Sequence, residues 1–226
     1  MKNFLCLIFL VLSFSSISQR RLNAEEIDLN KLIKDILYTN SGDQITILFW
    51  IPDMYWDVMA TKDKKTFSEE TLYQLKQMLG NKAIFFAVSG KLNASTAQFV
   101  AKEESYVRSN LSIQYNGKTY KPIPESKLSQ ELNMLNDYMK PMFSKMLGDM
   151  GSAMTLYYFD VSDGEGTNLL DPYSNSDFTL NLGSLKHTFH LPLPSLYTDA
   201  KCPNDNELFP ANYEYCPYHG SKLIAQ

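Results

Sequence analysis

The sequence predicts an α+β fold built on a mainly antiparallel β-sheet, with two or three helices and a small cysteine-containing tail. Strand-like and helix-like segments do not alternate regularly along the 226 residues, which argues against a parallel sheet. The clearest strand pattern runs directly into Asn116-Gly117, a sequence typical of an antiparallel hairpin. Both cysteines beyond residue 18 lie in the last 25 residues, which sets the tail apart from the body.

Residues 1–18 predict a secretion signal. Lys2 provides a positive start, residues 4–12 are almost unbroken in their apolar character, and residues 16–18 (Ser-Ile-Ser) are small enough for a signal peptidase. The apolar run is shorter than the roughly 20 residues that span a bilayer. We therefore expect a secreted or periplasmic protein with no integral membrane span after cleavage. An uncleaved anchor and a buried N-terminal helix are the alternatives.

Composition limits the classes of protein to which the remaining chain can belong. A hydrophobic content of 44% and an aromatic content of 13% favour a globular core over disorder. The formal net charge of −4, without a basic patch, predicts no nucleic-acid partner. Cysteines are too sparse to staple the body, which must depend on its own core. We expect one β-rich α+β domain over residues 24–197 and a tail over residues 198–226.

The first part of the body is predicted to contain two helices and a strand. Apolar spacing over residues 29–37 fits a short amphipathic helix or a strand. Residues 45–51 are a dense run of β-branched and aromatic side chains, which predicts a buried strand ending at Pro52. Residues 67–79 form the most strongly predicted helix, because Ser68 can cap its first turn.

The middle of the chain predicts a strand, a hairpin and a long helix. Apolar and polar residues alternate over 106–115, as expected for a strand of a half-solvated antiparallel sheet. Asn116-Gly117 predicts a type I′ turn after it. Apolar residues at helical spacing over 128–146 predict a helix, kinked near Pro141. The remaining strands are predicted at residues 82–88, 155–161, 177–182 and 185–193, and a long loop at residues 162–176.

The tail contains two matched turns, Cys202-Pro-Asn-Asp205 and Cys216-Pro-Tyr-His219. The residues that follow, Asn206 and Gly220, are the two types that best tolerate positive φ, as a sharp turn requires. Zinc accepts thiolate, imidazole and carboxylate ligands together. We therefore predict a zinc-knuckle-like tail with a structural zinc site, whose metal ligands are Cys202, Asp205, Cys216 and His219.

A disulfide between Cys202 and Cys216 is the alternative to zinc. An oxidising compartment would favour it, and a knuckle that had lost its metal would have the same sequence. Free thiols are the third possibility. The sequence leaves these states open.

A methionine-rich helix offers a second metal site. Thioethers bind Cu(I), so an exported copper- or zinc-handling protein is the alternative function. Half of these methionines also continue the apolar stripe of the helix, where methionine commonly fills gaps in a core. We therefore prefer core packing for this set, which comprises Met134, Met139, Met142, Met146, Met150 and Met154.

The aromatic residues Trp50, Tyr55 and Trp56 lie close to Asp53 and Asp57 in the sequence. Such a cluster can stack a sugar, but closing the core is the more common role of aromatic side chains. The two carboxylates support a weaker alternative, a hydrolase with a carboxylate site in a cleft.

Histidines give little support to catalysis. His187 and His190 are three residues apart in a predicted strand, so they should face opposite sides of the sheet and not chelate together. The third histidine belongs to the tail. Because no base stands near a nucleophile in the pattern, a non-enzymatic protein is the preferred prediction.

The tail resembles divergent zinc-ribbon tails whose knuckles read Cys-Pro-x-x-Gly. The match is carried by Cys202-Pro203, Asp205, Cys216-Pro217, His219-Gly220 and Lys222-Leu223. Asp205 and His219 replace cysteines of that pattern, and Asn206 replaces glycine. The body is similar to uncharacterised exported bacterial proteins that combine a Phe-Trp-Ile-Pro segment with such a tail, on residues 49–52, Trp56, 139–151 and 190–193. This resemblance implies compartment and architecture, and supplies no activity.

Taken together, these patterns predict an exported, non-enzymatic binding or envelope-associated protein. Its partner would be an unidentified protein or envelope component. Its C-terminal knuckle would hold structural zinc or a disulfide.

Overall fold

A computed structural model describes residues 19–42, 44–96, 98–163 and 165–226, so the predicted signal over residues 1–18 lies outside it. The chain divides into two compact units. The body is Arg21–Tyr197, and the tail unit comprises Thr198–Gln226 together with Gln19 and Arg20. No helix in the described ranges is both long and apolar enough to cross a membrane.

The predicted α+β class is confirmed, with antiparallel sheets and interspersed helices. The helices are α1 (Leu29–Ile36), α2 (Asp53–Lys62), α3 (Glu69–Leu79), α4 (Glu104–Asn110), α5 (Gln130–Leu147) and α6 (Asp149–Ser152). The strands are β1 (Leu37–Ser41), β2 (Ile45–Ile51), β3 (Ala83–Leu92), β4 (Phe99–Ala101), β5 (Leu111–Tyr115), β6 (Lys118–Tyr120), β7 (Thr155–Phe159), β8 (Phe178–Leu182), β9 (Leu185–Phe189), β10 (Ala200–Lys201) and β11 (Leu208–Phe209).

Two antiparallel sheets form the frame of the body. In the five-stranded sheet, β1, β2 and β3 are consecutive neighbours, and the far edge of β3 pairs with both β7 and β4. Residues 83–87 of β3 pair with β7, and residues 90–92 pair with β4. The four-stranded sheet has the order β6-β5-β8-β9. Every one of these pairs is antiparallel, as the hairpin signal predicted.

Strand β3 is buried on both faces, because alternate residues point to opposite sides of a sheet. Phe85 and Ala87 belong to a first core cluster, which both sheets share and which contains Trp50 and Phe178. The residues that alternate with them, Ile84, Phe86 and Val88, point to the opposite face. They contribute to a second cluster, formed with side chains of α3 and α5. The body therefore stacks sheet, sheet and helices around two apolar layers.

The predicted strand over residues 106–115 is wrong in its first half. Residues 104–110 form α4, and the strand begins only at Leu111. Val107 and Leu111 are both buried, and their four-residue spacing fits a helix as well as a strand. Within α4, Arg108 Nε lies 2.7 Å from Glu104 Oε1, an ion pair between residues four apart that supports the helix.

The turn that follows β5 matches its prediction. Tyr115 pairs with Lys118, which leaves a two-residue loop. Asn116 and Gly117 have φ values of 47° and 75°, both in the left-handed region that a type I′ turn requires.

Helix α2 and strand β1 were not predicted. Pro52 ends β2 as expected, but it also stands at the N-cap of α2, where a missing N–H costs nothing. The predicted helices at residues 67–79 and 128–146 are confirmed as α3 and α5. Ser68 caps α3 by accepting the Thr71 amide, and α5 continues through Pro141.

Candidate metal centre

The tail unit consists of two hairpin-like turns that repeat each other at an interval of fourteen residues. In the first turn, Lys201 pairs with Leu208, and in the second the equivalent Tyr215 pairs with Lys222. Lys201 also exchanges two backbone hydrogen bonds with Ile224, at 2.7 and 2.9 Å. These two bonds join the start of the first turn to the segment that follows the second.

Each turn folds its backbone around its cysteine in the same way. The amide of Cys202 donates to the carbonyl of Glu207 at 2.8 Å, and the carbonyl of Cys202 accepts from the amide of Asn206 at 3.0 Å. Cys216 makes both equivalent bonds, each at 2.8 Å. Asn206 has φ 67° and Gly220 has φ 64°, so the positive φ predicted for both positions is present.

Three side chains bring their donor atoms together. His219 Nδ1 lies 3.6 Å from Cys202 Sγ and 3.4 Å from Cys216 Sγ. These three atoms all lie within 4.8 Å of one another, which makes the group a candidate metal-binding cluster. Both sulfurs belong to fully buried residues, whereas the His219 side chain is 38% exposed. The cysteines are not bonded to each other.

Asp205 lies beside this cluster. Its Oδ2 is 3.6 Å from His219 Nδ1, and its Oδ1 accepts the amide of Glu207 at 2.9 Å. The Glu207 amide, followed by the thiol of Cys202, lowers the pKa of the Asp205 carboxyl. One carboxylate oxygen is therefore used in the turn and the other lies near His219, but Asp205 is not among the residues whose donor atoms all lie within 4.8 Å of one another.

Backbone amides surround the sulfur of each cysteine. In both turns, the amides two and three residues further along the chain donate to the sulfur. Burial raises the pKa of the Cys202 thiol above its usual range, because these amides do not offset the loss of solvent. Burial also acts on Cys216, but the amides and the His219 side chain outweigh it and lower the pKa of that thiol.

Little apolar material surrounds the cluster. Cys202, Phe209 and Cys216 are the buried residues of the tail unit's hydrophobic cluster, and Leu223 packs against them. Phe209 and Leu223 are again fourteen residues apart, one from each turn. The sulfur atoms thus occupy the centre of the unit, where a larger domain would place apolar side chains.

Of the four members of the methionine set whose side chains the structure describes, three lie in or against the second core cluster. Met154 is 5% exposed, and Met139 and Met150 contact that cluster. Met134 is 62% exposed. The side chains of Met142 and Met146 lie outside the described part of the chain.

The aromatic group around Pro52 is core, as the sequence analysis preferred. Trp50 belongs to the first cluster and Trp56 to the second. The two histidines of β9 are engaged separately: His187 stacks on the ring of Tyr38 at 4.2 Å, and His190 Nδ1 lies 2.7 Å from Asp177 Oδ2.

Asp53 and Asp57 lie one turn apart on α2, and Asp53 borders a cleft of about 370 Å³. Asp53 lines this cleft together with Lys76 of α3. Burial raises the pKa of the Asp53 carboxyl, Lys76 opposes that effect, and Asp57 adds to it. Lys76 Nζ lies 2.6 Å from Asp57 Oδ1 and neutralises that carboxylate. Sequence reasoning missed Lys76, because nothing in the pattern links residues nineteen positions apart.

Comparisons with protein-family models, with curated proteins and with solved structures found no match to this chain. The resemblance to zinc-ribbon tails and to exported bacterial proteins therefore remains a prediction. Function has to be inferred from the chain's own donors and surfaces.

Proposed function

We propose that this chain is an exported, non-enzymatic binding or envelope-associated protein whose tail unit is held together by one structural zinc ion. The donor geometry of the tail is the observation that carries the zinc assignment. The predicted secretion signal carries the assignment of compartment.

The three distances measured from His219 Nδ1 fit edges of a zinc tetrahedron. With Zn–S of about 2.3 Å and Zn–N of about 2.05 Å, a tetrahedral angle gives an S···N edge of about 3.6 Å. The observed distances from His219 Nδ1 to the two sulfurs are 3.6 and 3.4 Å. An N···O edge calculated in the same way is about 3.4 Å, and Asp205 Oδ2 lies 3.6 Å from Nδ1.

The ligand types also favour zinc. Two thiolates exclude the hard cations, which prefer oxygen, and one imidazole with one carboxylate completes a set that zinc accepts. Asp205 can bind through Oδ2 alone, because Oδ1 already accepts the Glu207 amide. In this arrangement, Cys202, Cys216 and His219 supply three ligands and Asp205 closes the fourth position.

A structural role follows from the small size of the tail unit. A segment of about thirty residues cannot bury enough apolar surface to fold alone, and metal or disulfide crosslinks usually compensate. Free energy of zinc binding becomes free energy of folding in such units. The copper alternative has less support, since the described buried methionines serve the core of the body.

Metal content and thiol count test the proposal together. Protein purified without added metal should contain one equivalent of zinc by elemental analysis and no copper. Two thiols should react after chelation in denaturant, and few should react in the native protein. Cys202→Ser and Cys216→Ser should each abolish stoichiometric zinc, whereas Glu214→Gln, an exposed acid of the same unit, should retain it.

Other results would overturn parts of the proposal. Protein that contains no metal and no titratable thiol would carry a disulfide instead of zinc. Copper bound in place of zinc, and lost on substitution of the helix methionines, would establish the metal-handling alternative. Export has a separate readout: N-terminal sequencing of protein from the cell envelope should begin near Gln19, and an intact Met1 in the cytoplasm would contradict it.

A further inference from the structure

Helix α5 presents two apolar faces. One face contributes Leu132 and Phe143 to the second core cluster. The other face is exposed, with Met134 at 62% and Tyr138 at 76% exposure, followed by an exposed Pro141. Steps of four and three residues align these three side chains in one stripe. This alignment makes the stripe a candidate contact surface.

The ends of this stripe are charged, and they are symmetric about its centre. Glu131 lies seven residues before Tyr138, and Lys145 lies seven residues after it. Seven residues are close to two helical turns, so both charged side chains share the face of Tyr138. Both are exposed. From one charge to the other, the stripe is about 21 Å long at 1.5 Å per residue.

We infer that this stripe is a self-association surface, on which α5 pairs antiparallel with α5 of a second copy of this chain. A twofold axis beside Tyr138 would place each Glu131 opposite Lys145 of the second copy. The twofold symmetry repeats the pair, which is the property of an isologous interface. A parallel pairing would instead align each charge with its own kind.

Neighbouring charges leave this pairing undisturbed. Asp137 and Lys140 lie beside the stripe and form an ion pair within the helix, with Nζ and Oδ1 3.6 Å apart. Glu131, whose carboxylate also accepts hydrogen bonds from its own amide and from Ser129, and Lys145 are the opposite charges at the two ends of the stripe. Because a single helix face buries a small area, the association should be weak and concentration-dependent.

Charge reversal followed by sedimentation equilibrium tests the geometry. Wild-type protein should show a monomer–dimer equilibrium over a concentration range that reaches about 1 mM, which corresponds to weak association. Glu131→Lys alone, or Lys145→Glu alone, places like charges opposite each other twice and should weaken the dimer about tenfold. The double reversal should restore wild-type affinity. A mixture of the two single variants should form a heterodimer, because their charges are then complementary.

A matched pair of tyrosines controls for surface effects. Tyr138→Ala removes the centre of the stripe and should weaken the dimer about tenfold. Tyr73 of α3 is 64% exposed, and Tyr73→Ala should leave the dimer unchanged. Both positions are on the surface, so both variants should fold with wild-type circular dichroism spectra.

Three results would overturn the inference. Wild-type protein that stays monomeric throughout the range would rule out self-association through the stripe. A dimer that tolerates every charge reversal would use another surface. Failure of the double reversal to restore association would exclude the antiparallel register. Since α5 lies in the body, these outcomes are independent of the zinc content of the tail.

Discussion

The body and the tail unit hold their folds by different means. The body buries two layers of large side chains, with Trp50 and Phe85 stacked between the sheets at a ring distance of 6.5 Å. The hydrophobic cluster of the tail unit has two cysteines and one phenylalanine as its buried members. The core of the body contains aromatic rings, whereas the centre of the tail unit contains the sulfur atoms of two cysteines. Under the proposed zinc assignment, the short tail would gain from one ion what the body gains from many apolar contacts.

Metal binding and apolar burial also differ in the free energy that they contribute and in the treatment that removes each of them. Structural zinc contributes about 10–16 kcal/mol of apparent binding free energy at neutral pH. A large aromatic side chain in a core contributes about 3–5 kcal/mol when it is truncated to alanine. A reagent that takes the ion should therefore act on one unit, and a core substitution should act on the other.

Chelation should produce the largest effect. Adding a strong zinc chelator to the reduced protein should collapse the amide dispersion of residues 198–226 in a ¹⁵N correlation spectrum, because no sizeable apolar core remains there. Resonances of the body should keep their positions. Restoring zinc should restore the tail resonances, whereas magnesium, which prefers oxygen ligands, should not. A tail that keeps its dispersion without metal would mean that its backbone bonds and small core suffice.

Trp50→Ala should give the reciprocal result. It removes a ring that is 1% exposed and should lower the free energy of unfolding of the body by about 3–5 kcal/mol in urea denaturation. Tyr73→Ala, at an exposed position, should change that free energy by less than about 0.5 kcal/mol. Zinc content should stay at one equivalent in both variants. Zinc loss in Trp50→Ala under native conditions would show that the tail depends on the body.

Asp205→Asn sharpens the comparison inside the tail. Asparagine keeps the oxygen that accepts the Glu207 amide, so the turn should survive, but it removes the anionic donor that faces His219. Zinc affinity, measured by competition with a coloured chelator, should fall at least about tenfold, since even residues that only support a ligand are worth that much. The neutralised control Glu214→Gln should bind as the wild type does. Equal affinity in both variants would show that Asp205 helps to form the turn but does not bind zinc.

The sequence predicted the local arrangement of the tail better than the long-range contacts of the body. The donors of the tail are three residues apart within each turn, and a turn is a local structure, so the pattern located Cys202, Cys216 and His219 correctly as neighbours. Long-range pairs give no such signal: Lys76 meets Asp57 only because α2 packs beside α3. Local patterns also fail where one spacing fits two structures. The four-residue spacing of the buried Val107 and Leu111 fits both a helix and a strand, and residues 104–110 form α4.

The smallest predicted effect compares the two turns at their left-handed residues. Asn206 and Gly220 have nearly equal φ values, of 67° and 64°. A Cβ added at Gly220 would meet no atom within 4 Å, so the cost of Gly220→Ala is conformational and should be about 1 kcal/mol. That cost corresponds to about a fivefold loss of zinc affinity in the same competition assay. Asn206→Ala should lose slightly less, because asparagine already bears part of the strain, and Asn206→Gly should bind at least as tightly as the wild type.

Asn204→Ala controls for substitution within the turn, since Asn204 is exposed and has no positive φ. Its affinity should match that of the wild type. If Asn206→Gly instead weakened zinc binding, the side chain of Asn206 would stabilise the turn by a contact of its own. The two turns would then differ in that contact as well as in their ligands. If both alanine variants bound zinc as tightly as the wild type, the turns would not need the left-handed conformation to hold the ion.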